Sequence, residues 1–255
     1  MKKTILSTLG AATLLCLCQG NAQAQMIMLS GTSYTENFDT LGSGLPNGVT
    51  VFTGATTTST GTAAALTTAP TPFGSTTAQF ANYASATNST ATDTTAIQAA
   101  DTNRALGFRQ TGAVGDPGFS IVFTVANTTN FQSFSLNIAL QELSAQTRST
   151  PLTIDYRIGT TGAFTVLGTF ADPGAFGSTP STFSFGNALD NQASSVQIRV
   201  SALTASTGTG TRDTLAVDDF NLTYQAAVPE PSTYATMALG VLGMFAVLRA
   251  RRRTA

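Results

Sequence analysis

From residue 119 to residue 224 apolar side chains recur at every second position, a period that belongs to strands. Phe119, Ile121, Phe123 and Val125 share one face of a first run, and Phe134, Leu136, Ile138 and Leu140 share one face of the next. Residues 126–130 between them read as a hairpin turn. Leu152, Ile154, Tyr156 and Ile158 alternate with Thr153, Asp155 and Arg157. Phe164, Val166 and Phe170 follow, Phe183 and Phe185 form a short run, and Val196, Ile198 and Val200 alternate with Gln197 and Arg199. Turn clusters punctuate the runs, as at Gly115-Asp116-Pro117-Gly118 and Asp172-Pro173-Gly174. No helical period stands out between residues 25 and 228. Many short strands with polar outer faces predict an all-β fold, an antiparallel two-sheet β-sandwich of the jelly-roll kind.

The last run contains a slip. Leu215 and Val217 set one inward frame, whereas Phe220, Leu222 and Tyr224 set the other. A frame that changes across Asp218-Asp219 predicts a β-bulge there. Two carboxylates at a bulge need compensation, from an arginine such as Arg104 or Arg109 or from a cation. Residues 53–70 are rich in Thr, Ala, Ser and Gly, with almost no large apolar side chain, and predict a mobile loop. Residues 84–100 are similar.

The two ends of the chain differ from this body. Lys2-Lys3 precede an apolar run from Ile5 to Cys18, and Ala22-Gln23-Ala24 closes it. A charged start, a short apolar stretch and an A-x-A site predict a signal peptide over residues 1–24, cut after Ala24, with Ala22 and Ala24 as the recognised small residues. The other end reads Val228-Pro229-Glu230-Pro231, then an apolar stretch over 234–248, then Arg249, Arg251, Arg252 and Arg253. Fifteen helical residues span about 22 Å. Flanking Tyr234 and Arg249 extend that toward the hydrocarbon thickness, which predicts one transmembrane helix with its basic end cytoplasmic. The exported domain is thus expected over residues 25–227 and the tail over 228–255.

This tail resembles the PEP-CTERM sorting signal of Gram-negative bacteria, on the signature Val228, Pro229, Glu230 and Pro231, the single apolar helix and the arginines. The resemblance implies exosortase as partner and transient anchoring in the inner membrane with the body in the periplasm. Release to the cell surface or the exopolysaccharide matrix would follow.

Composition narrows the chemistry. The body has no His, Trp, Lys or Cys, because both cysteines, Cys16 and Cys18, fall in the predicted leader. No disulfide can staple it, and Ser-His-Asp, Cys and histidine-metal chemistry are excluded by inventory. Six arginines against twelve carboxylates leave the body near −6, which argues against nucleic acid as a partner. No Gly-rich phosphate loop is present. The body also resembles, loosely, lectin-like and carbohydrate-binding sandwiches. That resemblance implies that an early Glu36 and the late Asp218 and Asp219 share a structural calcium, and that Tyr34, Tyr83 and Tyr156 are candidate stacking residues. Two functions remain: a non-enzymatic structural or polysaccharide-associated protein, with no catalytic residue, or a glycan-cleaving hydrolase using Glu36, Glu142 or an Asp pair.

Overall fold

The structure, a computed structural model, describes residues 25–77, 80–111 and 115–228, with isolated positions between 237 and 249. In chain order the strands are β1 (Ser33–Glu36), β2 (Val49–Thr53), β3 (Thr62–Ala63), β4 (Leu66–Pro70), β5 (Phe80–Ala84), β6 (Arg104–Phe108), β7 (Phe119–Val125) and β8 (Phe131–Ser144). Then come β9 (Arg148–Ser149), β10 (Leu152–Ile158), β11 (Thr165–Phe170), β12 (Gly177–Ser184), β13 (Val196–Ala202), β14 (Thr207–Gly208) and β15 (Thr214–Ala226). One short helix, α1 (Thr95–Ala100), precedes β6.

The strands form the two layers that the alternation predicts. A seven-stranded sheet runs β12-β8-β15-β6-β5-β4, with β1 against the second half of β15. A six-stranded sheet runs β11-β10-β13-β7-β2-β3, and β14 and β9 form a small separate ribbon. Every pairing in these sheets is antiparallel except that of β4 with β5. The period-two residues of β7, β8, β13 and β15 point between the layers and make one buried cluster. At its centre Phe123 and Phe220, one from each sheet, stack with ring centroids 3.8 Å apart and planes 11° from parallel.

The bulge falls where the frame slips. Asp218 faces Ala139 and Asn221 faces Asn137, so β15 spends one residue more than β8 over that interval. Asp219 takes up the excess with φ of 48°. The extra residue is what turns Phe220, Leu222 and Tyr224 inward after Leu215 and Val217.

The Thr-rich segment 53–70 is not a loose loop. It contributes β3 and β4, and its turn lies over the outer face of the six-stranded sheet. There Arg199 donates from Nη1 to the carbonyls of Thr56 and Ser59 at 2.8 and 2.9 Å. Arg157 donates to the carbonyl of Thr58 and Ser120 to that of Thr60. The segment is fixed through backbone carbonyls, which a reading of side chains overlooks. Residues 84–100 likewise hold α1, whose N-cap Thr94 accepts from the Ile97 amide. Gln98 is buried there against the amide of Phe73. This segment covers one end of the outer face of the seven-stranded sheet, over a second apolar cluster of Phe73, Ala81, Tyr83, Ala105, Leu143 and Ala216.

Residues 126–130 are not the expected hairpin turn: β7 belongs to the six-stranded sheet and β8 to the seven-stranded one, so this link crosses between the layers, and apolar alternation alone does not say which strands pair. Both ends of the body are tied to this β7–β8 link. Ile27, 2 % exposed, donates to the Thr124 carbonyl and accepts from the Ala126 amide. Ala227 donates to the Asn130 carbonyl. Among the described residues no helix is long and apolar enough to cross a membrane. The predicted leader, the Pro229-Glu230-Pro231 signature and most of segment 234–248 lie outside the described residues.

Candidate functional site

The uncovered part of the seven-stranded sheet's outer face forms a groove of about 360 Å³ between β1, β15, β8 and β12. Alternation sets its chemistry. While Leu136, Ile138, Phe220 and Leu222 face the core, Asn137 and Asn221 face out between them. Thr35 and Asn37 close one side and Pro180, Ser181 and Thr182 the other. The bulge adds Asp219, which is exposed. Thr182 donates to Asn137 Oδ1 at 2.7 Å, whereas Asn221 Oδ1 is buried without a partner among the described residues.

The carboxylates expected to share a cation do not converge as a set of three. Glu36 accepts the Phe38 amide at 2.8 Å, and burial, with Asp39 nearby, pushes its carboxyl above the ordinary range. Asp218 is wholly buried under the 84–100 segment, accepting from Ser85 Oγ at 2.7 Å and Gln141 Nε2 at 3.2 Å. Burial pushes it up to about 6, against the pull of the Ser85 hydrogen bond. Asp219 lines the groove instead, as does Glu36, so the structure brings these two to one groove and leaves Asp218 outside it. Its amide donates to Asp218 Oδ1.

Arginine does not compensate the pair either. The Arg104 guanidinium donates to Asn82 Oδ1 and to the carbonyls of Asn82, Gln98 and Asp101. Arg109 donates to Thr214 Oγ1 and the carbonyls of Phe73 and Gly74. Neither forms an ion pair among the described residues. Hydroxyl, amide and backbone donors answer the Asp218 charge at short range, which an inventory of charges does not register.

The tyrosines offered for stacking are taken up in packing. Tyr83 is fully buried, and Tyr34 and Tyr156 meet Phe220 and Phe185 edge-on.

A second acidic group, not anticipated as a group, lies at the far end of β8. Glu142, Asp172 and Asp213 each offer an oxygen, all within 4.8 Å of one another. Burial, then the neighbouring Asp172, push Glu142 up to about 7, and the same causes push Asp213 up to about 7. Burial works on Asp172 too, but hydrogen bonds with Asp213, the Gly174 amide and Ser149 outweigh it and hold that carboxyl below its ordinary range. One signal was visible: Glu142 continues the inward frame of Leu136, Ile138 and Leu140, where a charge is out of place.

Residues 227–253 match the PEP-CTERM protein-sorting motif. The chain carries a PEP-CTERM sorting signal. That signal marks it for export and sorting to the cell surface, and its first matched residue, Ala227, directly follows β15 and donates to the Asn130 carbonyl. No curated protein matches the chain in sequence. Among solved structures it is similar to the CBM22-1 xylan-binding domain from Paenibacillus barcinonensis Xyn10C, at 10 % identity over 76 % of this chain and 95 % of that one, TM-score 0.39. It is also similar to the xylan-binding module CBM15, at 17 % identity over 48 % and 79 %, TM-score 0.35. A third is Xylanase10C from Cellvibrio japonicus in complex with xylopentaose, at 17 % identity over 48 % of this chain, TM-score 0.33; this chain spans only 23 % of that one. Likenesses this remote assign neither a ligand nor a reaction to this chain.

Proposed function

We propose that this is an exported surface or matrix protein with a non-enzymatic, polysaccharide-associated role. A leader ending in Ala22-Gln23-Ala24 carries it across the inner membrane. The helix over 234–248 holds it there with the body in the periplasm. Exosortase reads Val228-Pro229-Glu230-Pro231 and passes the body to the cell surface or the exopolysaccharide matrix. Intact mass of the protein recovered from the host's surface and medium tests this: a species beginning at Gln25 and ending near Pro229 is expected. A species that retains residues through Ala255 rejects processing.

The observation that carries the body's part is the groove. Amides and hydroxyls from Asn37, Asn137, Asn221, Thr35, Ser181 and Thr182 alternate there with apolar carbon and the carboxylates of Glu36 and Asp219, and one buried amide oxygen lacks a donor among the described residues. A sugar carries hydroxyls that both donate and accept and C–H faces that pack on apolar carbon, so it matches such a mixed lining better than a purely apolar or strongly charged ligand does. Glycan cleavage is the second reading, and Glu142 with its raised carboxyl favours it. Against it, Glu142 is 0 % exposed, out of reach of a polymer. Glu36 lies opposite Phe220 and Glu142 opposite Leu215, so the two glutamates sit roughly 15 Å apart along β15. A hydrolytic pair needs about 5–10 Å.

Retention on insoluble polysaccharides is expected to fall about tenfold or more in the double variant Asn137→Ala, Asn221→Ala, with no sugar released by either protein. Equal retention of wild type and variant, or none by wild type, overturns the groove's role.

A further inference from the structure

The acidic group at the end of β8 has no part in the groove or in sorting, and its surroundings are unusual for acids. Glu142 comes from β8, Asp172 from the loop between β11 and β12, and Asp213 from the residue before β15. Glu142 is 0 % exposed and Asp213 2 %. One oxygen of each is answered: Glu142 Oε2 accepts the Ala175 amide at 3.0 Å, and Asp213 Oδ1 accepts the Gln146 amide. The other oxygen of each, Glu142 Oε1 and Asp213 Oδ2, is buried with no partner among the described residues.

Other buried charges of the body are answered. Arg199 has Asp155, Asp116 has Arg148 and Arg212, and Arg104 has four oxygen acceptors. None of the three ion pairs among the described residues includes Glu142, Asp172 or Asp213. Arg109, the cation that acts on Asp213, spends its guanidinium on Thr214 and two carbonyls. Two buried carboxylate oxygens without a donor cost their full desolvation unless a proton shared with Asp172 or a cation sits between them, and a cation answers all three carboxylates at once.

We propose that Glu142, Asp172 and Asp213 bind a calcium ion. The donors are hard carboxylate oxygens, and calcium takes such ligands in flexible arrays. Bonds of about 2.4 Å to one centre place any two ligands no more than about 4.8 Å apart. The three oxygens meet that bound. Asp172 is only part-buried and opens the site to solvent, giving the ion a path in and leaving room for water ligands. Magnesium, which demands near-ideal octahedral geometry at shorter distance, fits a set drawn from three independent chain segments less well. The ion ties the β11–β12 loop to the ends of β8 and β15. It draws on none of Glu36, Asp218 or Asp219.

The test uses the full chain in detergent, stripped with chelator and titrated with calcium chloride alone. Uptake of one calcium per chain by elemental analysis is expected. The melting midpoint should rise by roughly 5–10 °C at a hundredfold excess over Kd. Asp172→Asn, in a surface loop, should weaken calcium binding about tenfold or more while leaving the calcium-free midpoint in place. Glu142→Gln, which keeps the buried shape, should abolish both uptake and the midpoint shift. No stoichiometric uptake by wild type overturns the proposal. So does uptake that persists undiminished in both variants.

Discussion

Asp155→Ala should lower the stability of the body by about 3–5 kcal/mol, read as a shift in the denaturant midpoint followed by circular dichroism. Asp155 grips Arg199 in a two-point contact, 2.8 Å from Nε and 2.6 Å from Nη2. Both side chains are essentially sealed from water, at 0 % for Arg199 and 1 % for Asp155. The Phe164 ring centroid lies 3.6 Å from the guanidinium carbon, against its face, and Nη1 donates to the carbonyls of Thr56 and Ser59. Removing the carboxylate strands a full positive charge against a ring and two dipoles. The penalty is that of an uncompensated buried ion rather than of one lost contact. The pair itself contributes little beyond what apolar packing supplies, so Asp155→Leu with Arg199→Met should recover most of the loss. A single variant that loses less than about 1 kcal/mol, the range of an exposed pair, would show that water reaches the guanidinium and that the Thr-rich turn does not seal it.

Phe220→Ala should cost a similar amount, about 3–5 kcal/mol, from lost transfer energy and the cavity left between the sheets. Phe220 is 0 % exposed, stacks on Phe123 and meets Tyr34 edge-on. It is the first inward residue after the bulge, pinned between a left-handed Asp219 and the pairing of Asn221 with Asn137. The strand cannot slide to fill the gap without unmaking that register, so little relaxation is available to soften the loss. Phe220→Leu should retain more than half of the stability lost by alanine. A loss below about 2 kcal/mol for alanine, measured by the same denaturation, would mean that β15 shifts register after all.

The layers were legible because alternation is a local signal, and both inward frames of β15 are written in adjacent residues. The bulge at Asp218-Asp219 was legible for the same reason. The sorting signal was legible because its motif, apolar stretch and arginines are contiguous, and the matched residues 227–253 coincide with that reading. What escaped depends on chain-distant partners. Arg199 reads as an outward residue between Ile198 and Val200, yet the turn at residues 56–59 buries it, using carbonyls that every residue type possesses. Glu142, Asp172 and Asp213 lie on three separate segments that only the fold places together. The expected trio of Glu36, Asp218 and Asp219 is not gathered into one set, for a physical reason. The bulge sends consecutive carboxylates to different surroundings, one under the Ser85 loop and one into the groove.

Ile27 and Ala227 are both fastened to the link between β7 and β8, so the chain enters and leaves the body at one pole. Strand β8 runs from that pole for 14 residues, about 45 Å. On the proposed export route, a leader and a tail attached there would lie in the same bilayer together while every strand of the body stayed paired. Under the proposed route, the fold would therefore impose no order on the two cleavages, since neither proposed site would depend on the other for its place beside the membrane.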